Sequence, residues 1–260
     1  GFKRAAELPP HSAAPKFNLA QVSMMLRRYA TANRLFASAA AVTADPELQM
    51  VRRATNSVYW KGDLTALQHA LEAAKPGTEL YKVNGLRLFE ADWWARDYKA
   101  ATKATEVDDV SEWADGTNVA LPKRLYLAWA TEAEGESEKA HALYAELRTQ
   151  LEQEVRERPD VAEKHLALAF AYVGFNMKAE GLAEGRKAGE LAPVSLDAFT
   201  GPGFLVWLAK LDVRAGADDA ALDLIEKLQA MPAGQVFSQA LLKIDSAWDP
   251  LRNDARFQAL

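Results

Sequence analysis

The stretch Ala162–Pro193, AEKHLALAFAYVGFNMKAEGLAEGRKAGELAP, decides the fold. With Ala162 as position 1, Leu168 and Ala169 fall at positions 7 and 8, Tyr172 at 11, Gly181 at 20, Gly185 at 24, Ala188 at 27 and Pro193 at 32. Small residues at 8, 20 and 27 let two antiparallel helices approach where larger side chains would hold them apart. Large apolar residues at the neighbouring positions fill the remaining space, and the proline ends the second helix.

The same spacing recurs along the chain. The first unit has Leu19-Ala20, Arg28-Tyr29, Ala32, Phe36 and Ala39, closed by Asp45-Pro46. The second turns at Gly62-Asp63, with Leu67, Leu71 and Ala74 before Pro76. The third turns at Arg96-Asp97-Tyr98 and places Ala101 well, but Thr105 and Asp108 fit poorly, so its second helix is expected to fray into Asp108-Asp109. The fourth has Leu127-Ala128, Gly135, Ala140, Tyr144 and Leu147 and runs on to Arg158-Pro159; the sixth has Leu208-Ala209, Gly216, Ala221, Ile225 and Leu228. Position 20 thus falls at residues 32, 67, 101, 140, 181 and 221, at spacings of 35, 34, 39, 41 and 40. A period in this range, held over six units, is the mark of a repeat architecture. No convincing strand is visible between the units.

The pattern resembles the tetratricopeptide repeat, a 34-residue pair of antiparallel helices. The resemblance implies an all-α chain in which about six hairpins stack as an α-α superhelix, a right-handed solenoid, with a C-terminal capping segment. Its divisions are 1–12 as lead-in, 13–115 as units one to three, 116–234 as units four to six and 235–260 as cap. Glu184–Ser195, Asp219–Glu226 and the ending Leu241–Asp245, Trp248–Arg252 and Asp254–Phe257 resemble segments of bacterial tetratricopeptide regions. Such regions form the C-terminal half of multidomain signalling proteins whose N-terminal part is a Ser/Thr kinase, a cyclase or a winged-helix regulator. What the resemblance implies for this segment is an interaction or regulatory role and no activity.

Composition narrows the classes from another side. Among 260 residues the 31 basic and 36 acidic ones give a net charge of −5, with no basic stripe for nucleic acid and no polybasic membrane patch. The longest nearly apolar runs, Leu166–Phe175 and Phe204–Ala209, fall well short of the ~18 residues a membrane span needs. The absence of cysteine excludes disulfides, thiolate metal sites and cysteine nucleophiles. It also leaves the compartment open, with the cytoplasm favoured over the periplasm. His11, His69, His141 and His165 lack metal-ligand spacing and read as solvated or core residues. Neither a phosphate loop nor a serine nucleophile motif occurs, so no enzyme activity, metal or cofactor is expected.

In the repeat family the first helix of each pair lines the concave face, chiefly through positions 2, 5, 9, 12 and 13. Those positions supply the candidate ligand groove: Met24 and Met25; Arg52, Asn56, Tyr59 and Trp60; Glu90, Trp93 and Trp94; Trp129; and Phe170. Tryptophan, tyrosine and methionine suit a binding face because they give large contact area with few rotors, or adapt in shape. The alternative for each is burial against the next helix. A clamp for a peptide carboxylate is disfavoured: Arg52 and Asn56 match its first pair, but Glu90, Leu125 and Trp129 stand where an asparagine and two basic residues belong.

The function expected is therefore a non-catalytic protein–protein interaction scaffold that binds a peptide or partner protein in its groove. The alternatives are an intramolecular regulatory or sensor segment of a larger protein, and a self-assembly element forming a homo-oligomer through exposed repeat ends. The loop Asp108–Asn118 is expected to hinge two halves of the solenoid.

Overall fold

The computed structural model describes residues 13–42, 46–72, 85–114 and 116–260. The lead-in 1–12 with His11, and Asp45, Ala74 and Pro76, lie outside them. Helix makes up 73% of the described residues, in agreement with the all-α expectation. The helices are α1 (Ala14–Met25), α2 (Tyr29–Ala40), α3 (Pro46–Lys61), α4 (Leu64–Glu72), α5 (Gly85–Trp94) and α6 (Tyr98–Ala104). They continue as α7 (Lys123–Ala133), α8 (Ser137–Glu157), α9 (Ala162–Gly174), α10 (Lys178–Leu191), α11 (Gly201–Ala215) and α12 (Asp218–Ala230). The short α13 (Gln239–Ile244), a 3-10 turn at Ser246–Leu251 and α14 (Ala255–Ala259) end the chain.

From α1 to α12 the helices pack as consecutive pairs, and one backbone device closes each pair. Arg27, Gly62, Arg96, Gly135, Asn176 and Gly216 all have positive φ, between 53° and 87°. Each is position 15 of its unit in the register read from the sequence. A left-handed residue at a helix end reverses the chain and lets the next N–H groups reach back to the last carbonyls. In five of the six turns the N–H of position 16 donates to the carbonyl of position 11: Arg28 to Ser23, Asp97 to Asp92, Glu136 to Thr131, Met177 to Tyr172 and Ala217 to Asp212. Only three of the six residues are glycine. Arginine and asparagine hold the conformation elsewhere at an intrinsic penalty of roughly 1–2 kcal/mol.

The small residues sit where the helices touch. Ala20, Ala32, Ala101, Ala128, Ala169, Ala209 and Ala221 are fully buried. A Cβ on Gly181 would lie 2.6 Å from Val173 Cγ2 and 2.8 Å from the Ala169 carbonyl oxygen. At position 24, Gly185 leaves room for the next pair, because its Cβ would meet Leu211 Cδ2 at 2.4 Å.

Two compact units share these pairs. One holds the first two hairpins and Pro232–Ile244. In it Gly234 donates its N–H to the Met25 carbonyl at 3.0 Å and accepts the Tyr29 hydroxyl at 2.8 Å, while α13 packs on α3. The other unit holds Gly85–Met231 and Asp245–Leu260. Its core is aromatic: Tyr126 lies 5.2 Å from Phe89, 5.2 Å from Trp113 and 5.0 Å from Trp129, and Trp129 stacks on Trp207 at 5.6 Å.

Three expectations need correction. Strands do occur: β1 (Glu112–Ala114) and β2 (Ala120–Pro122) form an antiparallel pair with Trp113 opposite Leu121. Three-residue strands are too short for alternation to show in sequence, yet Trp113 and Leu121 point inward and are buried. Next, α6 stops at Ala104, but the segment after it is anchored rather than frayed. Asp108 accepts the Trp113 indole N–H at 3.0 Å and pairs with Lys123 at 3.0 Å, and buried Thr117 accepts the Trp207 indole N–H at 3.2 Å. These ties hold Asp108, Trp113 and Thr117 against the core, which is not what a hinge requires. Lastly, the C-terminal residues do more than cover the last pair. Arg256 does pair there, with Asp223 and Glu226 of α12, whereas Pro232–Ile244 belongs to the other unit.

Two substitutions separate backbone from packing effects. Gly135→Ala, at φ 87° with nothing within 4 Å of the new methyl, should cost about 1 kcal/mol by denaturant unfolding. Gly181→Val should cost more, roughly 1–3 kcal/mol, since its branches enter the α9–α10 contact.

Candidate functional site

The eleven residues of the expected groove are largely interior. Met24, Asn56, Tyr59, Glu90, Trp94, Trp129 and Phe170 are buried, Met25, Arg52 and Trp93 are half-buried, and Trp60 is 40% exposed. Asn56 donates from Nδ2 to the Tyr29 carbonyl at 3.2 Å, and the Arg52 guanidinium lies 4.0 Å from the Phe17 ring centroid. Glu90 pairs with Arg87 one turn earlier. Trp129 and Phe170 contact each other at 5.1 Å in the aromatic core. The first six of the eleven lie in the unit of α1–α4, the other five in the unit that starts at Gly85.

One of the eleven, Trp93, belongs to a polar constellation that the structure assembles. It stands in the last turn of α5, and Arg96 follows at the left-handed turn. On α11, Trp207 and Lys210 are three residues apart and so share a face. Against these side chains lies the chain's own segment Asp245–Arg252. Asp245 is 3% exposed. Its Oδ2 pairs with Lys210 Nζ at 2.8 Å, and its Oδ1 accepts the Trp93 indole N–H at 3.1 Å and the Ala247 N–H at 3.0 Å. Lys210 Nζ also lies 5.0 Å from the Trp207 centroid and 5.9 Å from that of buried Trp248. At the edge, the Arg96 guanidinium forks onto both Asp249 oxygens at 2.5 and 2.9 Å, and Arg252 reaches Asp249 at 2.7 Å.

The electrostatics of this constellation favour charge. Burial works to raise the Asp245 carboxyl, but the Lys210 ammonium and the Ala247 and Trp93 N–H donors outweigh it and hold the group below the usual carboxylate range. The Arg96 hydrogen bonds do the same for Asp249. A buried pair of this kind contributes little net stability but ties its partners to one geometry, because either charge alone would be left uncompensated.

Sequence reasoning missed Lys210, Arg96, Asp245 and Asp249. Reading the sixth unit at position 9 would have found Lys210. Nothing in the sequence could have brought Asp245 to Trp93, which lies 152 residues earlier.

Two of the described histidines make specific contacts. His141 stacks on Phe175 at 4.4 Å, and buried His165 faces Glu184 at 2.5 Å and the Pro159 carbonyl at 2.9 Å. Among the described residues no group of three or more His, Asp or Glu is placed to hold a metal ion, and no helix is long and apolar enough to cross a membrane. No family model matches the chain, and none of the curated proteins matches it.

Two measurements follow. Trp129→Ala should lower stability by about 3–5 kcal/mol as a cavity forms in the aromatic core, whereas Trp60→Ala should change it by less than about 0.5 kcal/mol. Half-buried Asp212 has its pKa raised to about 6 by burial, against the pull of Arg186. Its charged form is disfavoured in the folded state, so stability held at acid pH is lost as pH rises through about 6. Asp212→Asn should therefore stabilise the protein at pH 7.5 by about 1 kcal/mol, allowing for solvent screening, and the gain should vanish near pH 4.

Proposed function

We propose that this protein is a non-catalytic interaction scaffold of the tetratricopeptide type, its hairpins stacked as a right-handed superhelix that binds a peptide or partner protein along the first helices of the pairs. The repeat reading is supported by the left-handed residue at position 15 of all six turns. The binding reading rests on one observation above all. The face formed by α5 and α11 already holds a stretch of polypeptide through an indole N–H, a lysine and a forked arginine, which are the groups a peptide groove needs.

In the unit of α1–α4, Trp60 and Met50 are exposed and Arg52 is half-buried. An exposed aromatic with a cation near it suits a contact anchor, and Lys61 Nζ lies 4.4 Å from the Trp60 ring centroid. Panning a random peptide display library on the immobilised chain tests the proposal. A sequence consensus should emerge, and Arg96→Ala should reduce its capture at least tenfold with little change in melting temperature. No enrichment over a blank surface would contradict the scaffold reading.

A further inference from the structure

The segment Asp245–Arg252 touches α5 and α11 as a bound peptide would. It presents an acid, an aromatic and a second acid in the pattern Asp-x-x-Trp-Asp: Asp245, Trp248 and Asp249. The receiving face is complementary in each place. Lys210 and the Trp93 indole N–H take the first carboxylate, the Trp248 ring lies within 5.9 Å of Lys210 Nζ, and Arg96 takes the second carboxylate in a two-point fork.

The two ends of the contact differ in depth. Asp245 is sunk, its side chain 4% exposed, while the Arg96–Asp249 pair stands at the surface with side chains 45% and 39% exposed. Trp248 and Leu251, on either side of the clasp, are buried as well, so release that begins at the Arg96–Asp249 pair has to draw both apolar side chains out.

We infer that the α5–α11 face is a recognition surface for partner segments with an acid–aromatic–acid pattern, and that Asp245–Asp249 is its resident occupant, which such a partner displaces. This rests on the scaffold reading above and adds the partner's chemistry and its competitor. An occupied site lowers the apparent affinity of any incoming ligand by the fraction of time it is free. A lesion on the occupant should therefore strengthen binding in trans, and a lesion on the receiving face should not.

Asp249→Ala and Arg96→Ala break the same exposed ion pair from opposite sides. Asp249→Ala also removes the Arg252 contact; in a purely structural contact neither change creates affinity for an added peptide. A fluorescein-labelled peptide of residues 243–252, Lys-Ile-Asp-Ser-Ala-Trp-Asp-Pro-Leu-Arg, is titrated by anisotropy into the full-length chain and each variant, with melting temperatures measured in parallel. The Asp249→Ala chain should bind the peptide three- to tenfold more tightly than the unaltered chain. The Arg96→Ala chain should bind it no more tightly, and a peptide with both aspartates changed to alanine should not bind.

Equal affinity in the two variants, or no binding to the Asp249→Ala chain at millimolar concentration, would overturn the inference. So would dimerisation of the Asp249→Ala chain in sedimentation, which would identify the occupant as a second copy. If display panning still yields a consensus while this titration fails, the scaffold stands and the resident-occupant reading falls; failure of both removes the scaffold as well.

Discussion

Close approach of paired helices is the constraint from which the rest follows. Where Ala169 faces Gly181, even one added carbon would come within 2.8 Å of backbone, so the pair can form only with small residues on both helices. The turn must then reverse the chain in very few residues, and a left-handed residue at position 15 does this in all six pairs. Arg27, Arg96 and Asn176 hold a conformation that glycine would adopt with less strain. That three units tolerate this penalty shows how strongly the helix contact dictates the turn.

A second consequence concerns what lies between pairs. Aromatic residues placed on first helices by the repeat register meet one another once the pairs stack. Trp129, Phe170 and Trp207 come from α7, α9 and α11 and form one continuous aromatic cluster. The side chains that could have lined an open groove there thus become the core of their unit, and the binding groups of the proposed scaffold are the polar ones at its edge, Lys210 and Arg96.

The pair boundaries, the turns and the buried alanines were legible in the sequence because each depends on residues within one 34- to 41-residue period. The β1–β2 hairpin was not, since its strands have three residues each and its stability comes from Trp113 and Leu121 entering a core built by α5, α7 and α9. The groove list was legible as a set of positions but not as a surface. Helical register fixes which way Trp129 points, while its burial depends on Trp207, 78 residues away in the sequence. The Asp245 contact is harder still, because a charge pair between distant segments leaves no periodic trace in either.

Asp245 ties the α5–α11 face together through the Trp93 indole. Hydrogen exchange of the tryptophan indole protons in the 15N-labelled protein measures this directly. The Trp93 Nε1 proton should exchange far more slowly than that of exposed Trp60, and Asp245→Ala should abolish the difference. A Trp93 indole proton that exchanges as fast as the Trp60 one in the unaltered protein would contradict it.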